Sequence, residues 1–417
     1  MKRIIISLIA AASVFGLKAA DPMLTAYSAS QCEGSLTPYP TEINPAVYPD
    51  SLVPVFINHV GRHGARYPAS AANCHALRKA LERADSAGTI TPAGRKLRQL
   101  NEQVITLGTD RWGALDSLGM AEQRAIATRM FYNFGEAFSG GTVNAISSYS
   151  PRAMMSMYSF THQLDRMDNR INFVTTTGRM NSPLMRFFDL DEDFVNFRKN
   201  GPWVEKYDEY VSSYCPTTAI DKVLGRNFPY SSEREKLQLA LVEYYVVAGC
   251  SAMSLPCNTT EYFTREEYNG LWSCFNLRQY LCRTATTVSS LPADIAAELL
   301  TNLITTTEDF IEGNSPASVQ LRFGHAETLM PLLSLLHLPG CYYLTNYFDT
   351  VAQHWRDFDV VPMAANLQMI LFKSKNSGKY YLRVDLNEQP VALIPNNSAK
   401  YIPWPQAREY MLRCLPL

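Results

Sequence analysis

No stretch limits the folding of this chain more than Phe56-Ile-Asn-His-Val-Gly-Arg-His-Gly-Ala-Arg-Tyr-Pro68. Val53, Val55, Phe56, Ile57 and Val60 form the apolar, partly β-branched run of a buried strand, and Gly61, Gly64 and Pro68 punctuate the loop that follows. The loop carries chemistry. Arg62 and Arg66 are permanent cations whose forked donors match phosphate oxygens, and His63 between them offers a ring nitrogen that can attack phosphorus or hold a metal. The plainer alternative is a solvated basic turn beside a hydrogen-bonded core histidine, so the rest of the chain has to decide.

Two further places repeat the pattern of a strand running into a helix with a charged group at the junction. Val143 to Ser150 reads as a strand, Pro151 fits a first helical turn, and Arg152 stands beside it at the start of a helix over 153–162. Val319 to Gly324 reads as a strand and is followed by His325-Ala-Glu327, then by a helix with Leu329, Leu332, Leu333 and Leu336 on one face. Ligands bind at the strand ends of open α/β sheets, and helix N-termini add amide donors and positive potential for an anion. Three such junctions favour a common anion site over unrelated surface residues.

The remaining elements complete a doubly wound α/β core with a mixed sheet and a helical insertion. Helical periods run over 75–87, 92–107 and 120–138, the last stopped by Gly140-Gly141, and Ala365–Lys373 with Lys379–Leu386 reads as a hairpin that adds an antiparallel edge. Between 165 and 314 the short apolar strands vanish and aromatic, charged helices take over, including one opened by a Ser232/Glu235 capping box and one over 292–311. The expected division is a core of 21–164 and 315–417 with a mostly helical insertion, 165–314, forming a lid. Residues 21–51 read as an extended surface lead-in.

Met1-Lys-Arg followed by apolar Ile4–Leu17 and Ala19-Ala20 reads as a secretory signal peptide over 1–20. The expected product is exported, whether periplasmic, surface-attached or released, with no stable membrane insertion. Thirty-eight basic against 39 acidic side chains leave a formal net charge of -1, which argues against a nucleic-acid partner and makes any anion binding local. Nine scattered cysteines lack the spacing of a zinc site; the close pairs Cys250/Cys257 and Cys274/Cys282 are the expected bridges.

The first motif resembles the Arg-His-Gly-x-Arg-x-Pro signature of the histidine phosphatases, in the branch of acid phosphatases and phytases. Ser150-Pro-Arg-Ala153 is similar to that family's Ser-x-Arg-Ala context for a further phosphate-binding arginine. His325-Ala-Glu327 departs from the His-Asp pair of many members and resembles the His-Ala-Glu of the multiple inositol polyphosphate phosphatases. The resemblance implies that Arg62, Arg66, Arg152 and His325 grip a phosphomonoester and that His63 attacks in line to form a phosphohistidine. Glu327 then protonates the leaving oxygen and later activates water, with no metal or other cofactor. The implied substrates are inositol phosphates such as phytate.

Extra cations must then reach the outer phosphates, and Arg186 and Lys206 are candidates. His59 is a candidate assistant, weighed against a structural role at the strand end, while Trp203, Tyr207 and Tyr210 read as core. Three alternatives stay open: a broad acid phosphatase with the same catalytic residues, a phosphate-binding module without catalysis, and a mutase. Positional order of dephosphorylation and oligomeric state are not legible.

Overall fold

A computed structural model describes residues 26–139 and 141–416. The expected signal peptide and Gly140 lie outside the described residues. The central sheet runs in the order β3-β2-β4-β1-β5-β6-β7, with β8 (Ile402–Pro403) against β6. Its strands are β1 (Leu52–Arg62), β2 (Thr142–Ser147), β3 (Asn172–Thr177), β4 (Ala317–Gly324), β5 (Asn366–Ser374), β6 (Tyr380–Leu386) and β7 (Gln389–Val391). β3, β2, β4 and β1 are parallel, and β5 pairs antiparallel with β1. The mixed doubly wound sheet expected from the sequence is the one observed.

Alternation along each strand divides the core between the two faces. On β5, Ile370 and Phe372 pack with Ile57, Val143, Leu321 and Phe323 beneath α3 (Ser117–Asn133) and α4 (Pro151–Met167), while Leu367, Met369 and Leu371 join Phe56 and Val60 on the other face. That second face is covered by α12 (Ala297–Glu312) and α13 (Ala326–Leu335) through Leu299, Leu303, Leu329 and Leu332. β1 is buried almost throughout, as a strand with neighbours on both edges and helices on both faces must be.

Two boundaries differ from the sequence reading. The region expected as insertion opens with β3, an edge strand of the core sheet whose exposed Thr-rich pattern lacks the apolar run that marks a buried strand. The helical layer beside the core also recruits α1 (Ala72–Ser86) and α2 (Pro92–Gly108), which the sequence reading assigned to the core. Their stripes, Leu77, Leu81, Leu97 and Val104, pack on Ile220, Val223, Tyr244 and Val247 from helices Thr218–Leu224 and Glu233–Ala248 rather than on the sheet. An amphipathic stripe specifies that a face is buried, not which partner buries it.

The lead-in is likewise not wholly superficial. Residues Gln31–Leu36 form a 3-10 turn that buries Cys32, Ser35 and Leu36. All nine cysteines are free thiols. Cys274 and Cys282 lie eight residues apart on helix Arg265–Arg283, about 12 Å along its axis, so they cannot be bridged. Cys274 instead lies beside Cys215, and Cys250 lies beside Cys257, with Cys250 Sγ donating to the Val246 carbonyl. No described helix is long and apolar enough to cross a membrane.

The loop after β1 is fixed by backbone touching backbone. A Cβ on Gly119 of α3 would sit 2.2 Å from the Ala65 carbonyl oxygen, and one on Gly64 would sit 2.4 Å from the Gly119 oxygen. Gly119→Ala should therefore destabilise the protein by roughly 1–3 kcal/mol, since neither backbone can yield cheaply. Gly135→Ala, where a Cβ would meet nothing within 4 Å, should stay within about 0.5 kcal/mol. Denaturant midpoints of the two variants test the contrast.

Candidate active site

The parallel strands β1, β2 and β4 end at one level, and each hands its loop to the same cleft. Arg62 is registered opposite Gly324 and Ser147 opposite Phe323, and the pairing continues past the strands as His63 N–H donates to Gly324 O at 3.1 Å and Ser148 N–H to Phe323 O at 3.0 Å. The pocket at these ends is lined by Arg62, His63, Arg66, Arg152 and Glu327. Ser150 stands at the N-terminal boundary of α4 and Pro151 in its first turn, which sets Arg152 at the helix N-terminus. His325 precedes α13, and its N–H donates to Thr328 Oγ1 at 3.0 Å.

A hydrogen bond assigns the proton of His63. His63 Nδ1 lies 2.9 Å from the Gly64 carbonyl, which can only accept, so Nδ1 carries the hydrogen and Nε2 keeps its lone pair. Burial, followed by Arg152, Arg62, Arg66 and His325, holds this ring well below the usual histidine range, hence neutral and nucleophilic. His325 Nε2 lies 3.1 Å from Arg186 Nη1, an obligate donor, and 2.9 Å from Ser148 Oγ. Arg152 Nη2, likewise an obligate donor, lies 3.4 Å from Nδ1, so each ring nitrogen of His325 faces a guanidinium. Burial and the neighbouring arginines depress the His325 ring to about 3.

The guanidinium groups are held for an anion. Arg62 spends Nη1 on the carbonyls of Ser35 and Val361, each at 2.6 Å, which fastens it to the lead-in. Four buried guanidinium nitrogens at the site, Arg62 Nε, Arg66 Nε, Arg152 Nε and Arg283 Nη1, have no hydrogen-bond partner among the described residues. Burial and the adjacent Arg66 push both Arg62 and Arg152 below their ordinary range, to about 9 and about 10, so they remain charged at neutral pH. Glu327 is the acid facing them. Burial alone would raise its carboxyl, but Arg283 at 3.1 Å, together with His325 and Arg62, draws it well below the usual carboxylate range. A phosphate dianion would cancel much of that pull and let the carboxyl take up a proton.

The sequence candidates outside the signature separate here. Arg186 reaches the primary site through His325, anchored by Asp189 and stacked on Tyr149 at 4.8 Å. Lys206 pairs with Glu209 on the helix Trp203–Tyr214 and lies outside the pocket lining. His59 is also displaced: it is buried in the core, packed between Phe160 and Phe323 at ring distances of 5.3 and 5.2 Å. Its place inside β1, four residues before His63, keeps it below the strand end and out of the pocket lining.

Other pocket groups carry no mark in the sequence. Arg278, Gln279 and Arg283 descend from the helix Arg265–Arg283, Arg198 from the helix Glu192–Asn200, and Ser35 and Leu36 from the lead-in. Arg278 and Arg283 look like ordinary surface charges until the face their helix presents is known. Beneath the loop, Glu122 of α3 is buried and accepts from the backbone of Tyr39 and Ala65, and Gln123 donates to the Arg62 carbonyl.

Comparison with known proteins agrees with this geometry. The family model for the histidine phosphatase superfamily (branch 2) matches residues 55–387. Multiple inositol polyphosphate phosphatase 1 of Gallus gallus is 26% identical over 370 residues, spanning 84% of this chain and 79% of that protein. The fold is similar to the Bifidobacterium longum multiple inositol polyphosphate phosphatase solved with inositol hexasulfate, with a TM-score of 0.77 at 16% identity, covering 90% of this chain and 96% of that one. It is also similar to the phytase from D. castellii, with a TM-score of 0.73 at 16% identity over 93% and 86% of the two chains.

His59 gives a test of its displacement from the site. Burial, then Arg322, depresses its ring to about 3, so as pH falls below about 6.5 the unfolded chain binds the proton first and stability is lost. His59→Leu should keep turnover within about twofold. It should also remove roughly 2 kcal/mol of the stability loss between pH 8 and pH 5, measured by denaturant unfolding at both values.

Proposed function

The chain belongs to the histidine phosphatase superfamily, branch 2, and on that premise we propose that it hydrolyses phosphomonoesters of inositol polyphosphates through a phosphohistidine. The observation that carries the reaction is the His63 ring, neutral, with Nδ1–H fixed on Gly64 O and Nε2 free among Arg62, Arg66 and Arg152. The arginines, with His325 among them, offset the charge of the transferring phosphoryl group, which removes the repulsion that otherwise keeps a nucleophile from a dianion. His63 Nε2 attacks phosphorus in line. The leaving inositol oxygen takes a proton from Glu327, whose carboxyl is released from its low range once phosphate occupies the arginines. The same carboxylate then draws the proton from the water that cleaves the phosphohistidine. No step requires a metal.

The substrate class rests on a different feature. Arg198, Arg278 and Arg283 line the pocket beyond the signature arginines, more positive charge than one phosphate needs and suited to a ring bearing several. The inositol-phosphate names of the relatives point the same way. In this reading the helices that bring these arginines act as a lid, and a broad acid phosphatase, needing no outer cations, is the second choice. The intact pair His63 and Glu327 disfavours a binding module, which needs only the arginines. Export from the cytoplasm, through the leader at residues 1–20, belongs to the same proposal.

Two measurements test it. His63→Ala should abolish turnover of inositol hexakisphosphate and of nitrophenyl phosphate, and labelled phosphate should be trapped on His63 of the native enzyme by rapid alkaline quench. Glu327→Gln should slow formation of the phosphohistidine from inositol hexakisphosphate by about a hundredfold and from nitrophenyl phosphate far less, because nitrophenolate leaves without a proton. Equal losses on the first turnover would remove Glu327 from the acid role.

For the substrate class, Arg278→Ala should raise KM for inositol hexakisphosphate by roughly tenfold and leave that for nitrophenyl phosphate within about twofold, the loss expected for one charge-assisted contact. Lys206→Ala should change neither. Steady-state kinetics on both substrates decide, and an equal effect of Arg278→Ala on the two would return the broad acid phosphatase.

A further inference from the structure

Glu122 lies outside the pocket, yet its carboxylate is linked to the nucleophile by an unbroken hydrogen-bonded path. His63 Nδ1–H donates to Gly64 O at 2.9 Å. That carbonyl belongs to the same peptide group as the Ala65 N–H, which donates at 2.7 Å to Glu122 Oε2. The other oxygen, Oε1, accepts the Tyr39 N–H at 2.8 Å, so both oxygens are engaged as in an ionised carboxylate. The next peptide is held on its far side by Asp116 N–H on Ala65 O at 2.9 Å. Gln123 fixes the Arg62 carbonyl at 3.0 Å, and Ser156 Oγ accepts the Gly64 N–H at 3.1 Å. Every polar group of the loop that could re-aim this peptide is therefore fixed.

We propose that Glu122 is a positioning residue that acts on His63 through the single peptide group Gly64–Ala65, in place of the carboxylate that elsewhere bonds an imidazole directly. A negative charge at the N–H end of an amide draws its electrons toward the oxygen, making Gly64 O a stronger acceptor for Nδ1–H. A stronger bond at Nδ1 fixes the tautomer and the ring plane, and it raises the electron density at Nε2, where the bond to phosphorus forms. No proton crosses the peptide; Nδ1 keeps its hydrogen while the ring gains charge, and the resulting cation is met by a more negative carbonyl. The device places a carboxylate's effect on the nucleophile without putting a second negative charge in a cleft that must bind a dianion. Burial raises Glu122 to about 7, against the pull of the Tyr39 and Ala65 amides and of Arg62, so the charge that the relay uses is fully present only above that pH, where its rates are to be compared.

The inference rests on His63 being the nucleophile, and the experiment separates the two. Glu122→Gln keeps the size of the side chain but has one acceptor for two N–H groups. Its rate of phosphohistidine formation on the first turnover should fall by roughly ten- to a hundredfold, the loss typical of an outer partner of a working histidine, while the inhibition constant of inorganic phosphate stays within about threefold. Glu122→Asp should recover part of the rate. A wild-type rate in Glu122→Gln overturns the proposal, as does a loss of phosphate affinity in proportion to rate, which would mean that Glu122 serves the clamp or the fold. If the variants do not fold, the wild-type protein still decides: the Nδ1 proton of His63 should resonate well downfield of an ordinary carbonyl-bonded imidazole, and an ordinary shift refutes the relay. His63→Ala run alongside tells the failures apart. If that variant still turns over, the covalent reading falls; if it is inert and Glu122→Gln is normal, only the relay does.

Discussion

Parallel pairing of β2, β4 and β1 in one register is the interaction on which the rest of this structure depends. It ends three strands at a common level and sends the loops bearing His63, Arg152 and His325 to one place. The ladder does not stop at the strands: the backbone bonds of His63 to Gly324 and of Ser148 to Phe323 carry it into the catalytic loops. Residues separated by more than 250 positions therefore occupy a cleft whose geometry is set by backbone hydrogen bonds, the least compressible part of a fold.

Collecting arginines at that edge is unfavourable in the free protein. Arg62, Arg66 and Arg152 repel one another in a partly dry pocket, and several of their nitrogens lack partners among the described residues. The scaffold offsets this with carbonyls of the lead-in and with buried carboxyls placed behind the loop. Asp357 accepts from Ser35 N–H at 2.8 Å and Trp272 Nε1–H at 2.9 Å, fastening the segment whose carbonyl holds Arg62, while Glu122 fastens the loop itself. The negative charge is kept behind the backbone, where it steadies the cations without occupying the place of a phosphate.

Helical insertion and core are less separable than the chain order suggests. Helices α1 and α2 follow the catalytic loop directly, yet they pack on helices from the middle of the chain. The layer that brings Arg278 and Arg283 over the cleft is thus built from both sides of the loop it covers, and the lead-in closes the remaining wall through Ser35 and Leu36. Lys206, a reasonable candidate on charge alone, ends on an outer face paired with Glu209.

The local pattern by itself determined the strand before His63, the strand-to-helix junctions at Arg152 and His325, the mixed sheet and the hairpin at its edge. Each of these follows from apolar period, turn residues and capping within a few positions, information that does not depend on distant parts of the chain. Tertiary structure alone decided that β3 joins the sheet despite its polar sequence, that Cys274 faces Cys215, and that His59 points away from the cleft while Arg186 reaches His325. It also decided that Arg278 and Arg283 face inward and that Glu122 lies under the Ala65 amide. A charged side chain on a helix has the same local preferences whether it faces solvent or a pocket. Only the packing of its helix against residues far away in sequence fixes the direction in which it points.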